Sequence, residues 1–185
     1  MNKLSKITLV TGGSRSGKSS FAEGLLKKQD KVLYIATSFI TDDEMRERVA
    51  IHKSRRNQNW ETYEGYKDLY KVIEAWEHEH IILECISTMI TNLIFDKYTD
   101  FDDLSKEEIQ NLEESISMQI TEVVTACREF NKQLVIITNE VGFGLVSEYK
   151  LGRIFTDIAG RINQLLGREC DEAYLVVSGL PIKLK

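Results

Sequence analysis

Ile7-Thr-Leu-Val10 runs directly into Thr11-Gly-Gly-Ser-Arg-Ser-Gly-Lys-Ser19, and this join constrains the fold more than any other feature of the chain. An apolar, β-branched run followed at once by G-x-x-x-x-G-K-S calls for a strand, a tight glycine turn and a helix, in that order. Glycines let the backbone close around phosphates with its N–H groups pointing inward, and a helix opening over Ser16 to Ser20 offers its positive end to an anion. Lys18 adds a point charge toward the outer phosphates, and Ser19 a hydroxyl for Mg²⁺. An ordinary glycine turn would leave the Lys-Ser pair at the helix start unexplained. The sequence therefore predicts a cradle for a nucleoside triphosphate.

Four further apolar runs recur at Val32 to Ala36, Ile81 to Cys85, Leu134 to Thr138 and Ala173 to Ser178, each short enough for a strand buried on both faces. Helical spacing separates them. The longest such stretch opens with Ser105-Lys-Glu-Glu108, a capping box, and places Ile109, Leu112, Ile116, Ile120, Val123, Val124 and Cys127 on one stripe. The expected architecture is α/β: one P-loop NTPase-type domain over residues 1–185, with a mostly parallel sheet and helices on both faces. Ligands of such sheets bind outside the carboxyl ends of the strands. Chemistry is therefore expected in the phosphate loop, at Thr37-Ser38-Phe39, at Glu84, at Asn139-Glu140-Val-Gly142 and at Ser178-Gly179.

Composition removes several classes of function. A chain of 185 residues buries about 70% of the surface its unfolded form exposes, enough for one full core. A single proline, Pro181, and the lack of any Gly/Ser-rich stretch leave no candidate linker. The net charge of −5 argues against a general nucleic-acid binder. Cys85, Cys127 and Cys170 are too scattered for a disulfide framework or a zinc site and read as reduced, mostly buried thiols. No apolar run approaches the ~20 residues of a membrane span, and Met1 to Lys6 carries no signal peptide. The expectation is a cytoplasmic protein.

Glu84 ends a hydrophobic strand, either as a solvated cap or as an oxygen ligand opposite Ser19 for Mg²⁺; the phosphate loop upstream favours the metal role. Thr41-Asp42-Asp43-Glu44 has the look of an acidic metal cluster, yet Thr41 and Glu44 are spaced as a capping box and explain it without a metal. The helix that follows carries Arg46, Arg48, His52, Lys53, Arg55 and Arg56, a basic cluster in an acidic protein. On its own terms His52 reads as a surface or packing histidine, although a neutral imidazole is able to attack phosphorus. His78 and His80, flanking Glu79, read as a solvated approach to the third strand. Asn139 to Gly144 offers a polar pair and two glycines for close backbone approach, and the helix around Asp157 to Gln164 reads as a sheet cover with a solvated face.

Taken in order, Thr11 to Ser19, Tyr34-Ile-Ala-Thr-Ser38, Asp42-Asp-Glu-Met45, Ile51-His-Lys53, Leu83-Glu-Cys-Ile86, Thr91-Asn92, Thr138-Asn-Glu-Val-Gly142 and Asp157-Ile-Ala-Gly-Arg161 resemble the bifunctional adenosylcobinamide kinase/adenosylcobinamide-phosphate guanylyltransferase family. The resemblance implies two reactions of coenzyme B12 assembly: phosphorylation of adenosylcobinamide with ATP or GTP, then transfer of GMP from GTP to adenosylcobinamide phosphate. It assigns His52 as the nucleophile that carries GMP, alongside Lys18. It carries nucleotide contacts over to Gly12, Gly13, Ser14, Arg15, Ser16, Gly17, Lys18, Ser19, Thr37, Ser38, Phe39, Arg55, Arg56, Asn57, Gln58, Glu64 and Glu84. It also implies a homotrimer with active sites near subunit boundaries; the stretch from Tyr98 to Leu104 has no counterpart in the motif set. Two other readings of the residues compete: a P-loop kinase for another small molecule, which needs no histidine intermediate, and a nucleotide-binding regulatory module. The N-K-x-D guanine motif of switch GTPases is absent, which weakens the last.

Overall fold

The computed structural model describes residues 5–38, 47 and 57–185. Among the described residues the chain runs β1 (Lys6–Gly12), α1 (Lys18–Leu25), β2 (Val32–Ala36), β3 (Glu61–Glu64), α2 (Leu69–Ala75), β4 (His80–Glu84), α3 (Ile86–Lys97), α4 (Lys106–Glu129), β5 (Gln133–Asn139), α5 (Lys150–Glu169), β6 (Glu172–Val177) and β7 (Leu180–Lys183). The strands form one sheet in the order β3-β2-β4-β5-β1-β6-β7. β1 to β6 are all parallel, and only β7 runs antiparallel, against β6. This is the α/β sheet expected, with β5 at its centre and β1 beside it.

Alternation along the strands sorts the core into two layers. Ile7 and Leu9 of β1, Leu33 and Ile35 of β2, Ile81 and Leu83 of β4, and Leu134 and Ile136 of β5 face the layer covered by α2, α3, α4 and α5. Val10, Val32, Tyr34, Ile82, Val135 and Ile137 face the opposite layer, where Ala22 of α1 and Leu26 just after it pack with Trp60. Each fully buried aliphatic side chain of this kind contributes about 1.5–3 kcal/mol. Because both faces are covered, the central strands read as continuous apolar runs rather than alternating ones. The capping box of α4 is present: the Glu108 N–H donates to Ser105 Oγ at 3.2 Å, and the Ser105 N–H donates to Glu108 Oε2 at 2.9 Å.

Several expectations need correction. β3 and β7 were not anticipated, because Glu61-Thr-Tyr-Glu64 is polar and Leu180-Pro-Ile-Lys183 contains a proline. Both lie at sheet edges, where neither feature is excluded. His80 is buried as the first residue of β4, whereas His78 is half-buried and sits edge-on to Trp76. Two strands end one residue earlier than their apolar runs, at Glu84 and Val177. Cys127 and Cys170 are buried free thiols and Cys85 is half-buried; burial pushes the Cys127 thiol up to about 12. No helix among the described residues is long and apolar enough to cross a membrane. Phe39, the Thr41–Glu44 capping box and the basic cluster that includes His52, Arg55 and Arg56 lie outside the described residues.

Candidate functional site

The phosphate loop leaves β1 at the carboxyl edge of the sheet and is braced from behind by the β6–β7 hairpin. Val177 pairs with Leu180 across Ser178-Gly179, whose φ values of 52° and 82° give the two-residue, left-handed turn that suits a twisted hairpin. The Gly179 N–H donates to Ser16 O at 2.8 Å. A Cβ on Gly17, at φ 93°, would come within 3.2 Å of Gly179 Cα, and one on Gly12 would meet Val176 O at 2.4 Å. Gly12 is thus required by close approach and Gly17 by its left-handed φ, and Ser178-Gly179 supports the loop rather than facing the ligand side.

In front, the loop is open. Gly13, Ser14 and Arg15 are exposed, while Lys18 and Gly12 are buried. α1 begins at Gly17 with no side-chain cap and no acidic residue in its first turn, so its leading N–H groups are left for another acceptor. α4, by contrast, caps itself fully. Among the described residues Ser16 Oγ and Thr11 Oγ1 are buried with no hydrogen-bond partner. Lys18 Nζ reaches back to donate to Gly13 O at 3.0 Å.

Ser19 Oγ donates to Glu84 Oε1 at 2.7 Å, joining the start of α1 to the end of β4. Burial raises the Glu84 carboxyl above its ordinary range, only partly offset by the Ser19 hydrogen bond and the Lys18 charge. Burial also lowers Lys18, against the opposing influence of Cys85 and Glu84. An ammonium and a carboxylate that are both pressed toward neutrality gain most from a ligand that brings in an anion and a cation together. Ser19 and Glu84 are hard oxygen donors, and a small widening of their 2.7 Å contact reaches the ~3.0 Å between adjacent corners of an octahedron with ~2.1 Å metal–oxygen bonds. Their chemistry and spacing fit Mg²⁺. No group of three or more His, Cys, Asp or Glu side chains suited to a metal occurs among the described residues, so phosphates and water would complete the shell.

A buried polar layer stands behind this edge. Thr37, fully buried, receives the Cys85 N–H on its Oγ1 and donates the hydroxyl to Cys85 O, both at 2.9 Å, while Asn92 Nδ2 donates to Thr37 O at 2.7 Å. The Asn139 N–H donates to Ser87 Oγ at 3.0 Å, Asn163 Nδ2 donates to Asn139 O at 3.0 Å, and Thr138 Oγ1 donates to Asn163 Oδ1 at 2.8 Å. The Glu140 N–H closes on Gly12 O at 3.0 Å. These bonds tie the ends of β1, β2, β4 and β5 into one rim. Ser87 was missed from sequence, and Asn163 was read as part of a solvated face. Its polar side chain beside buried Ile162 and Ala159 was the available signal.

Of the expected nucleotide contacts, the structure brings Gly12 to Ser19, Thr37, Ser38, Glu64 and Glu84 to the carboxyl edge; Glu64 is the exposed last residue of β3. It does not bring Asn57 and Gln58 there. They form the turn entering β3 at the opposite edge, where the Trp60 N–H donates to Asn57 O at 3.1 Å and Trp60 Nε1 to Gln29 O at 2.9 Å.

A family model described as cobinamide kinase / cobinamide phosphate guanyltransferase matches residues 8–184. The chain is 45% identical over 179 residues to the bifunctional adenosylcobalamin biosynthesis protein CobU of Escherichia coli K12, covering 96% of this chain and 98% of that protein. The CobU protein of Salmonella typhimurium gives the same identity and coverage, and the CobP protein of Pseudomonas aeruginosa is 32% identical over 96% of both chains. Among solved structures, a KaiC-like protein from Pyrococcus horikoshii OT3 superposes with a TM-score of 0.49 at 15% identity, over 92% of this chain and 70% of that one. With its phosphate loop, the Ser19–Glu84 pair and a match running nearly end to end, the chain belongs to the cobinamide kinase / cobinamide phosphate guanyltransferase family.

Proposed function

We propose that this chain carries out both reactions of its family on adenosylcobinamide, and that residues 1–185 work as one nucleotide-binding unit. In the first, the acceptor hydroxyl oxygen attacks the γ-phosphorus of ATP or GTP; the bond to the β-phosphate oxygen breaks, the nucleoside diphosphate leaves and the hydroxyl proton is lost. In the second, a ring nitrogen of His52 attacks the α-phosphorus of GTP and pyrophosphate departs. A phosphate oxygen of adenosylcobinamide phosphate then displaces the imidazole, breaking the P–N bond and giving adenosyl-GDP-cobinamide. The intermediate divides a difficult displacement between two bulky phosphates into two easier ones.

The observation that carries this reading is the uncapped start of α1 facing the Ser19–Glu84 contact of 2.7 Å. The free N–H groups and Lys18 hold the triphosphate chain and stabilise charge as it shifts toward the leaving group. Ser19 and Glu84 would hold Mg²⁺, which when bound offsets the triphosphate charge. Phe39 belongs to the same proposed nucleotide site. The proposal extends to a homotrimer in which the segment from Arg55 to Gln58 serves the site of a neighbouring copy, since Asn57 and Gln58 lie at the edge of the sheet opposite this chain's own phosphate loop. The free, mostly buried thiols suit a cytoplasmic setting.

Activity measured on two variants tests the scheme. His52→Ala is expected to lose guanylyl transfer while still binding GTP, and Lys18→Ala to lose much of both reactions. Normal guanylyl transfer by the His52 variant would rule out the intermediate.

A further inference from the structure

Asn139 takes no part in the scheme above, yet its surroundings are built around it. It ends β5, paired in register with Gly12 of the phosphate loop on one side, while β5's other neighbour is β4, the strand that carries Glu84. Its main chain is held at both polar atoms, by Ser87 Oγ and by Asn163 Nδ2, each at 3.0 Å. The residue after it is fastened to Gly12 O. The side chain has no comparable engagement: among the described residues its one hydrogen bond is a long one, from Nδ2 to Cys85 Sγ at 3.6 Å. Along β5 Asn139 follows Val135 and Ile137 onto the face that α1 covers, and along β4 Glu84 follows Ile82 onto the same face, so the carboxamide stands on the side of the sheet where Glu84 meets Ser19.

A half-buried carboxamide with a rigidly fixed backbone and unused hydrogen-bonding capacity is a costly thing to leave beside a charged cleft. Being neutral, it can donate to a phosphate oxygen without the desolvation cost of a second ammonium. The phosphate loop and the start of α1 already supply donors for the inner part of the phosphate chain. A group standing between Gly12 and Glu84, at the tip of the strand separating them, is placed for the outer end.

We propose that the Asn139 carboxamide donates a hydrogen bond to the terminal phosphate of the bound nucleoside triphosphate, making the site selective for a triphosphate over a diphosphate. The inference rests on the nucleotide site described above but not on His52 or on the corrinoid acceptor. Equilibrium binding of GTP and of GDP, each with Mg²⁺ and without acceptor, separates it from the failure of either reaction. In Asn139→Ala the affinity for GTP should fall about tenfold, the worth of one hydrogen bond to a charged group, while GDP affinity stays within about twofold. In Asn139→Leu, which keeps the shape and removes the donor, the loss for GTP should equal that of the alanine variant, again sparing GDP. The leucine variant decides the matter if the alanine variant does not fold. Equal losses for GTP and GDP, or unchanged GTP binding, would overturn the assignment.

Discussion

Replacing Gly12 by alanine tests how closely the phosphate loop is fitted to the strand behind it. The added Cβ would lie 2.4 Å from Val176 O and 2.7 Å from Ser16 Oγ, about 1 Å inside an ordinary carbon–oxygen contact. Ser16 Oγ can rotate away, but Val176 O cannot. Val176 is fully buried in β6, and its neighbour Leu175 is in register with Thr11 of β1. Relief requires β1 and β6 to part, or the loop to lift off the hairpin and lose the bond from the Gly179 N–H to Ser16 O. Overpacking of this kind costs about 1–3 kcal/mol, and a lost backbone hydrogen bond about 1 kcal/mol more. The expected total of about 2–4 kcal/mol would lower Tm by roughly 4–16 °C in a domain of this size. Urea unfolding followed by circular dichroism measures it, with Gly13→Ala as the control, since a Cβ there meets nothing within 4 Å. The Gly12 variant should also bind GTP more weakly. Equal midpoints for the two variants would refute the argument from close approach.

Ser105→Ala removes the hydroxyl half of the capping box on α4 and should cost about 1 kcal/mol in urea unfolding, with GTP affinity unchanged because α4 covers the face of the sheet opposite α1. Acid sensitivity follows from Asp171: partial burial works to raise its carboxyl, but hydrogen bonds from Arg128 and from the Ile7 N–H outweigh that and hold it below the ordinary aspartate range. A depressed folded value means that its contribution is present above the unfolded pKa and is lost as pH falls through the folded one. Asp171→Asn should therefore lower stability at neutral pH and flatten the fall in stability below about pH 4, read as Tm against pH.

What could be read from the sequence was whatever rests on local pattern. Apolar runs mark β1, β2, β4, β5 and β6, the glycine and Lys-Ser spacing marks the loop, and Ser105 with Glu108 marks the start of α4. Glu84 was legible because a carboxylate closing a hydrophobic run stands out. Edge strands were not: Glu61 to Glu64 carries little apolar signal, and Pro181 argues against a strand unless one knows that β7 lies at the sheet's edge. Nor could spacing reveal contacts made by folding at a distance. Asn163 reaches Asn139 across 24 positions and Ser87 reaches it across 52, so the rim holding the strand ends together left no motif. His80 was misread because a histidine beside Glu79 looks solvated, while its place in β4 was set by pairing with Val32 and Gln133.

The central claim is that one phosphate loop serves a transfer in which GMP, not the terminal phosphate, becomes attached to the protein. The protein is incubated with Mg²⁺ and GTP labelled at either the α- or the γ-phosphate, denatured, and tested for bound label and its lability in acid. Acid-labile α-label, absent in His52→Ala and unaccompanied by γ-label, is the predicted result. Absence of covalent α-label from the unmodified protein, or its persistence in the His52 variant, would contradict the account.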